Sequence, residues 1–253
     1  MAVTPEALAD PGADEPVEGD ADARTTEPPR ERWFSGWHVA ALVVAVAFLV
    51  GAIAFVVGQR DGDADPLNAV DVGFMQDMGY HHEQAVQMSL LLLAKEGLDP
   101  NLTSYAQEII IGQRYEQGVF SATLDRFHHD SEPGDTVMGW MGEPLPIDKM
   151  TGLATDAQME QLRNATGKDA EALWIALMSE HHLAGLHMAD YAARHGKDET
   201  TRNLALSMVK NQRSEVLDLA RYRTSHDLPI PKGFSDPTQD QRLNPLSFRD
   251  STD

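Results

Sequence analysis

After residue 67, apolar side chains recur every three or four positions in four stretches, which predicts four amphipathic helices. The first stretch closes near Gly97, with Pro100 just beyond it, and the second stops before the polar cluster that begins at His128. The third and fourth stretches run from Trp174 to Tyr222. Residues 130–155 lie between the two pairs, lack a clear period and are rich in Gly, Pro and Met. This composition predicts a long crossover, with a short helix around residues 155–164.

The two pairs of helices resemble each other in sequence, which indicates an internal repeat. Residues 74–82 align with residues 174–182, and a one-residue slip occurs before the second helix of each pair. The aligned pairs include His81-His82 with His181-His182, Met88 with Met188, Gln113 with Gln212, and Glu116 with Glu215. We therefore predict an all-α fold, a four-helix bundle over residues 67–228 built from two repeated helical hairpins at about 67–129 and 167–228.

A different pattern precedes the bundle. Residues 39–57 are nineteen consecutive uncharged and mostly aliphatic residues, which predicts one transmembrane helix within residues 34–59, in contact with the lipid bilayer through residues 38–57. Arginines are more frequent before this run than after it, so the N-terminus is expected in the cytoplasm and the bundle outside it. The small residues Ala52 and Ala54 leave open a cleaved signal peptide, and a buried core helix is a weaker alternative. Either of the first two interpretations exports the bundle.

Composition separates both ends of the chain from the bundle. Residues 1–33 are acidic and proline-rich with few large apolar side chains, which predicts a disordered cytoplasmic tail. Residues 232–253 are polar and interrupted by Pro237 and Pro245, which predicts a flexible C-terminal tail. The net charge of −20 would repel a phosphate backbone, so we expect no nucleic-acid partner.

Polar residues lie in the middle of the apolar stripes, where they need partners. Burying imidazole or carboxylate groups without a partner costs several kcal/mol, so these groups must satisfy one another, hold water or bind a ligand. The polar positions are His81, His82, Gln113 and Glu116 in the first hairpin and His181, His182, Gln212 and Glu215 in the second. Adjacent helical residues point about 100° apart, so we expect one histidine of each pair to face inward and the other to lie toward a neighbouring helix or the surface.

Methionines flank the histidines at helical spacing. A methionine three residues before a histidine shares its helical face, which places a thioether and an imidazole within reach of one ion. The chain contains no cysteine, so a soft ligand must be methionine, and sulfur with imidazole favours Cu(I) over Zn, Mg or Ca. The candidate metal ligands are Met78, His81, His82 and Met88, with Met178, His181, His182 and Met188 as their equivalents. The residues expected to orient the imidazoles are Gln113, Glu116, Gln212 and Glu215.

The same residues also have a structural interpretation. Methionine is a common filler of irregular cores, and buried His–Glu hydrogen bonds can hold the register of a bundle without any metal. Met138, Met141 and Met150 leave open an accessory soft-metal site in the crossover. We expect no enzyme, because the chain has no Glu-x-x-His of a di-iron bundle and no second histidine after His82-Glu83.

The residues from Phe74 to Met88, with their echo from Met178 to Met188, resemble the bacterial domain of unknown function 305. The resemblance covers about residues 67–228 and rests on the repeated Met-Ile-x-His-His-x-Gly-Ala-x-x-Met pattern of that family. It implies a ferritin-like four-helix bundle and, as some members are associated with copper outside the cytoplasm, a copper ion as ligand. Gly79-Tyr80 and Ser179-Glu180 depart from the family pattern beside the histidines.

These observations together predict a single-pass protein of the cell membrane that binds or buffers copper outside the cytoplasm. The alternative is a structural or protein-interaction module of the envelope, with buried His–Glu pairs and no metal. A homo-oligomer is left open.

Overall fold

The computed structural model of this chain describes residues 44–51 and 66–248. Residues 44–51 are helical with exposed side chains, and the rest of the predicted transmembrane helix lies outside the described residues, as does the predicted disordered tail at residues 1–33. Within the described ranges, no helix is both long enough and apolar enough to cross a membrane.

Five helices build the region after residue 66, and the predicted all-α fold is confirmed. They are α1 (Ala69–Leu93), α2 (Pro100–Arg126), α3 (Asp156–Asn164), α4 (Gly167–His195) and α5 (Glu199–Ser225). The crossover, residues 127–155, contains one antiparallel pair of two-residue strands, β1 (Thr136–Val137) and β2 (Leu145–Pro146). The short helix predicted near the end of the crossover is α3.

The sequence determines where the helices begin through their caps. At the start of α1, the Asn68 side chain accepts from the backbone N–H of Asp71, and the Asp71 carboxylate accepts from the N–H of Asn68. The cap of α2 is Asp99, followed by Pro100 in the first turn, where a missing N–H costs nothing. Thr155 and Gln158 form the same reciprocal cap at α3.

The hairpins α1–α2 and α4–α5 meet where α1 packs against α4. These two central helices run in opposite directions, because the start of α1 lies at the end of α4. The backbone N–H of Lys197 donates to the Asp71 carboxylate at 2.9 Å, and the Asn68 amide donates to the carbonyl of His195 at 3.1 Å. Gly196 permits this approach, since a Cβ there would lie 2.6 Å from Asp71 Oδ1.

The core divides into two large apolar clusters, one on each side of the midpoint of α1 and α4. The methionine end contains the buried residues Leu67, Phe74, Met75, Met78, Phe120, Leu124, Val137, Met138, Met141, Met150, Met188, Ala189, Ala192, Ala205, Met208 and Val209. The leucine end contains Ala85, Met88, Leu92, Leu102, Ala106, Ile109, Ala154, Leu162, Ala172, Leu173, Trp174, Ile175, Leu177, Met178, Leu219, Tyr222 and Leu228. The candidate site lies between them.

The crossover is attached to α1 at two points. Asp77 Oδ2 accepts from the backbone N–H of Met138 at 2.6 Å and from the Trp140 indole at 2.7 Å. One helical turn beyond the midpoint, the Gln84 amide exchanges two hydrogen bonds with the backbone of Ala154, at 2.6 and 2.9 Å. The crossover therefore lies over the middle of α1 in a defined position.

The C-terminal segment differs from its prediction. The flexible tail is predicted at residues 232–253, but its described part, up to residue 248, forms short 3₁₀ turns that pack along α4 and α5. Leu243 is buried against Leu183 and Val216, and Asp190 accepts from the backbone N–H of Ser247 at 2.7 Å. Prolines do break regular helix here, but apolar side chains and a buried carboxylate still hold the segment on the bundle.

Candidate metal site

All four histidines of the twin motif are buried. As expected, one histidine of each pair faces inward and the other is directed to a neighbouring helix. His81 and His181 lie at the contact between α1 and α4, whereas His82 and His182 point to the second helix of their own hairpins. Neighbouring side chains point about 100° apart around the helix axis, and each central helix is covered by protein on two sides. Both directions therefore lead into protein.

His81 and His181 stack face to face at the centre of the bundle. Their ring centroids are 3.6 Å apart with 26° between the planes, and His181 Nε2 donates to the backbone carbonyl of His81 at 2.8 Å. Within the described part of the chain neither ring nitrogen of His81 makes a hydrogen bond of good geometry, although the backbone of Thr151 lies close enough to interact with the ring. Gly152 of the crossover covers this ring, because a Cβ on Gly152 would lie 3.1 Å from His81 Nε2 and 2.3 Å from the Ala184 Cβ.

The other two histidines each meet a glutamate, as predicted for Glu116 and Glu215. His82 Nε2 donates to Glu116 Oε2 at 2.7 Å. His182 Nε2 lies equally close to Glu215 Oε2, but the geometry is not that of a hydrogen bond. Glu215 is also the more exposed carboxylate, with 34% of its side chain accessible against 13% for Glu116. The two halves of the site are therefore similar but not identical.

The remaining nitrogens of these two histidines carry most of the chemical information. Nδ1 of His82 and Nδ1 of His182 are buried and, among the described residues, have no hydrogen-bond partner. In His82, one ring nitrogen bonds to a carboxylate and the other is free, which is the arrangement of a metal-ligating histidine whose carboxylate fixes the tautomer and the ring orientation. The same pair without a ligand leaves a buried acceptor unsatisfied, which costs about 1–3 kcal/mol.

Gln113 and Gln212 are buried beside the histidines, each with an amide oxygen that has no partner within the described residues. The space beside Gly185 is filled by Gln212, since a Cβ on Gly185 would lie 2.4 Å from Gln212 Oε1. In the described ranges, 14 buried side-chain nitrogen and oxygen atoms lack a partner, and seven of them belong to His81, His82, His182, Gln113 and Gln212. Unsatisfied polarity is concentrated at this site.

The flanking methionines are distributed differently from the prediction. Met78 lies with Met188 in the methionine end, and Met88 lies with Met178 in the leucine end. Ten residues of helix separate Met78 from Met88, a rise of about 15 Å, so the two cannot bind one ion. An ion near the histidines would therefore draw on methionines from both hairpins.

Burial determines the charge state of the stacked pair. Burial, reinforced by repulsion from His82 and His182, holds the pKa of His81 well below its ordinary value, and burial does the same to the pKa of His181. Burial tends to raise the pKa of the Glu215 carboxyl, but attraction to His182 and His82 outweighs it and the pKa lies below the ordinary value. Neutral imidazoles and ionised carboxylates are the forms that bind and orient a metal.

The donors do not form a preassembled cage of nitrogen and oxygen. In the part of the chain that the structure describes, no three His, Asp or Glu side chains converge as a metal site. One or two imidazole nitrogens completed by thioether sulfur remain, and this donor set suits a soft ion rather than Mg²⁺ or Ca²⁺. The residues present therefore fit copper(I) better than a hard cation.

Several residues around the site were not found from the sequence. Gly152, Gln84, Asp77 and Trp140 position the crossover over His81, yet none belongs to the repeated motif. The available signals were an acidic residue inside the apolar stripe of α1 and a glycine in the crossover. The crossover methionines 138, 141 and 150 are buried in the methionine end.

Comparisons with known proteins agree with this fold. A family model described as "Domain of unknown function (DUF305)" matches residues 71–223. A DUF305 protein from Streptomyces coelicolor is 33% identical, with a TM-score of 0.59 over 64% of this chain and 96% of the other. A DUF305 fragment from Deinococcus radiodurans is 24% identical, with a TM-score of 0.55 over 64% and 99%.

A more distant likeness is to CopM in a Cu(I)-bound form, which is 21% identical with a TM-score of 0.47 over 62% of this chain and 96% of CopM. That score is too low to carry an argument about this chain. None of the curated proteins matches the sequence significantly.

Proposed function

Since this chain belongs to the DUF305 family, we propose that it is a copper-binding protein that holds Cu(I) at the contact between α1 and α4. The observation that supports this proposal most directly is the state of His82, whose Nε2 donates to Glu116 while its Nδ1 is buried without a partner. His81, whose ring nitrogens make no hydrogen bond of good geometry within the described residues, is its neighbour in α1. The proposed activity is binding or buffering, not catalysis.

The donors available for Cu(I) are imidazole nitrogens and thioethers from both hairpins. His82 and His182 would offer Nδ1, and His81 would offer a ring nitrogen. His181 would offer Nδ1, because its Nε2 bonds to the backbone of His81. The thioethers are Met78 and Met188 on one side of the histidines and Met88 and Met178 on the other. Cu(I) accepts this soft, uncharged donor set, and an apolar surrounding disfavours its oxidation by excluding water.

The glutamates contribute by orientation. Glu116 holds the proton of His82 on Nε2, so Nδ1 presents its lone pair. Glu215 is placed to do the same for His182. Each carboxylate also places a negative charge near the cation, which a buried cation requires.

The proposal is tested by titrating the purified full-length chain with Cu(I), without oxygen, against a chromogenic Cu(I) chelator. We expect the parent to compete with the chelator and His82→Gln/His182→Gln to lose most of that competition. His187→Gln is the matched control, because His187 lies on α4 with 43% of its side chain exposed. A parent that takes up no Cu(I), or a double variant that binds like the control, would overturn the proposal.

A purely structural role is the second candidate, supported by the His82–Glu116 bond and by the bond from His181 to the backbone of His81. These contacts join helices whether or not a metal is present. If this role is correct, the histidine variants lower the thermal midpoint and the parent binds no metal.

We also propose that residues 39–57 anchor the domain in the cell membrane, with the N-terminus in the cytoplasm and the bundle outside. The support is the uncharged run and the excess of arginine before it. Membrane association that resists alkaline extraction and is lost when residues 34–59 are deleted is the expected result. Protection of the bundle from protease added to intact cells would contradict the orientation.

A further inference from the structure

The two ends of the core use opposite side chains. Of the 16 buried residues of the methionine end, seven are methionine and two are leucine. Of the 17 buried residues of the leucine end, two are methionine and seven are leucine. Both ends are packed on the same helices. If methionine served only to fill gaps in the core, we would expect similar numbers of methionines on both sides of the histidines.

The same contrast appears at positions that are equivalent in the two hairpins. The alignment of the two hairpins pairs Met75 with Ile175 and, after the one-residue slip, Met208 with Ile109. Both methionines are in the methionine end and both isoleucines are in the leucine end. At these equivalent positions the leucine end has a branched aliphatic side chain. Packing alone therefore does not require a methionine at the same positions of the methionine end.

The crossover brings three more thioethers to this end. Met138, Met141 and Met150 are almost fully buried there. Met138 has a left-handed backbone with φ of 59°, a conformation that costs a residue other than glycine about 1–2 kcal/mol. Its N–H donates to Asp77 at 2.6 Å, which holds the strained residue in place. Strain kept at a buried side chain is a reason to look for a function of that side chain.

We infer that the methionine end is a second soft-cation site, which takes up a Cu(I) ion through thioethers alone. Its proposed ligands are drawn from Met75, Met138, Met141, Met150 and Met208, with Met78 and Met188 shared with the histidine site. The choice of Cu(I) as the ion rests on the proposed function above, whereas the sulfur cluster does not depend on the histidines. Thioethers are uncharged soft donors that select Cu(I) among the biological cations.

Two further features suit a cation here. The Asp77 carboxylate is buried and accepts from the backbone N–H of Met138, so it lies next to the crossover, although burial raises the pKa of this carboxyl. The ring of His82 lies 6.1 Å from that of Phe120, a member of the methionine end. The two sites are therefore adjacent.

The test uses the full-length chain with ¹³C-labelled methionine methyl groups, titrated with Cu(I) alone without oxygen. We expect the methyl signals of Met75, Met138, Met141, Met150 and Met208 to shift, and that of Met159 in α3 to stay. This measurement needs no variant, so it stands even where a substitution impairs folding. Unchanged crossover methyl signals at saturating Cu(I) would overturn the inference.

Two variants then separate this site from the histidine site. The first variant is Met75→Ile/Met208→Ile, which introduces the residue found at the equivalent positions of the leucine end. The second is Met138→Leu/Met141→Leu/Met150→Leu, which removes the thioethers of the crossover. Each is expected to lose about one Cu(I) per chain, while Met159→Leu loses none. If these variants keep full stoichiometry but His82→Gln/His182→Gln does not, the proposed function stands and this inference fails. The reverse pattern would overturn the histidine site alone.

Discussion

The methionine end and the leucine end share their helices but differ in side chains and in what covers them. The leucine end is closed by α3, whose Leu162 is buried in it, and the methionine end is closed by the irregular crossover. A compact helix and aliphatic side chains are sufficient for stability. The other end instead has a strained loop and flexible thioethers, which gain little in packing and supply soft donors. The fold therefore requires apolar side chains of suitable volume, and it does not require that they contain sulfur.

The largest expected effect comes from a substitution that displaces the crossover from the central helices. Gly152→Ala is expected to lower the free energy of unfolding by about 3 kcal/mol, because the new Cβ would overlap that of Ala184 and crowd His81. Gly142→Ala is the matched control, since Gly142 lies in the same crossover with φ of 84° against 86° but has no atom in the way. It should cost about 1–2 kcal/mol from the backbone alone.

Denaturant unfolding of both variants gives these values, and hydrogen exchange shows where the change occurs. Exchange should increase in residues 136–152 of the Gly152 variant and not in α3. Equal destabilisation by the two substitutions would show that the crossover does not press on the central histidines.

A change of pH acts on His81 and His181, which lie between the methionine end and the leucine end. The pKa values of His81 and His181 are lowered by burial, so these rings stay neutral in the folded chain while they take up protons in the unfolded one. Their contribution is therefore fully present above pH 6.5 and is lost as the pH falls below it. Between pH 7 and 5.5 the metal-free chain should lose about 2 kcal/mol. Thermal unfolding across this range checks the sign, and rising stability towards pH 5.5 would refute it.

The smallest expected effect compares the two glutamates. Glu116→Gln should cost about 1 kcal/mol more stability than Glu215→Gln, because only Glu116 is well buried and hydrogen-bonded to its histidine. Chemical denaturation of the two metal-free variants measures the difference. Equal costs would mean that the two halves of the site are energetically alike despite their different geometry.

Much of the helical framework was predictable from local pattern. The stripe from Phe74 to Leu92 and the breaks near Gly97 and His128 placed the first hairpin within a few residues of α1 and α2. A bond between Glu116 and one histidine of the motif was also predictable, because these residues interrupt apolar stripes of helices that must pack together, and the structure shows that the histidine is His82. The ferritin-like arrangement remains a prediction.

What the local pattern left undecided or misjudged has one physical cause. The choice of His81 and His181 as the central histidines and the docking of Leu243 on α4 and α5 depend on contacts between segments distant in sequence. Polarity and proline content describe a segment by itself. They do not show whether a surface elsewhere in the fold has room for it.

The sequence by itself determined which residues are helical, where the helices begin and that imidazoles and thioethers share their apolar faces. These properties follow from hydrogen bonds and side-chain spacing within a few residues. Only the tertiary structure decided that Met78 meets Met188 and that the crossover lies over His81. These neighbours follow from α1 and α4 running in opposite directions, which long-range packing selects and the spacing within either helix does not express.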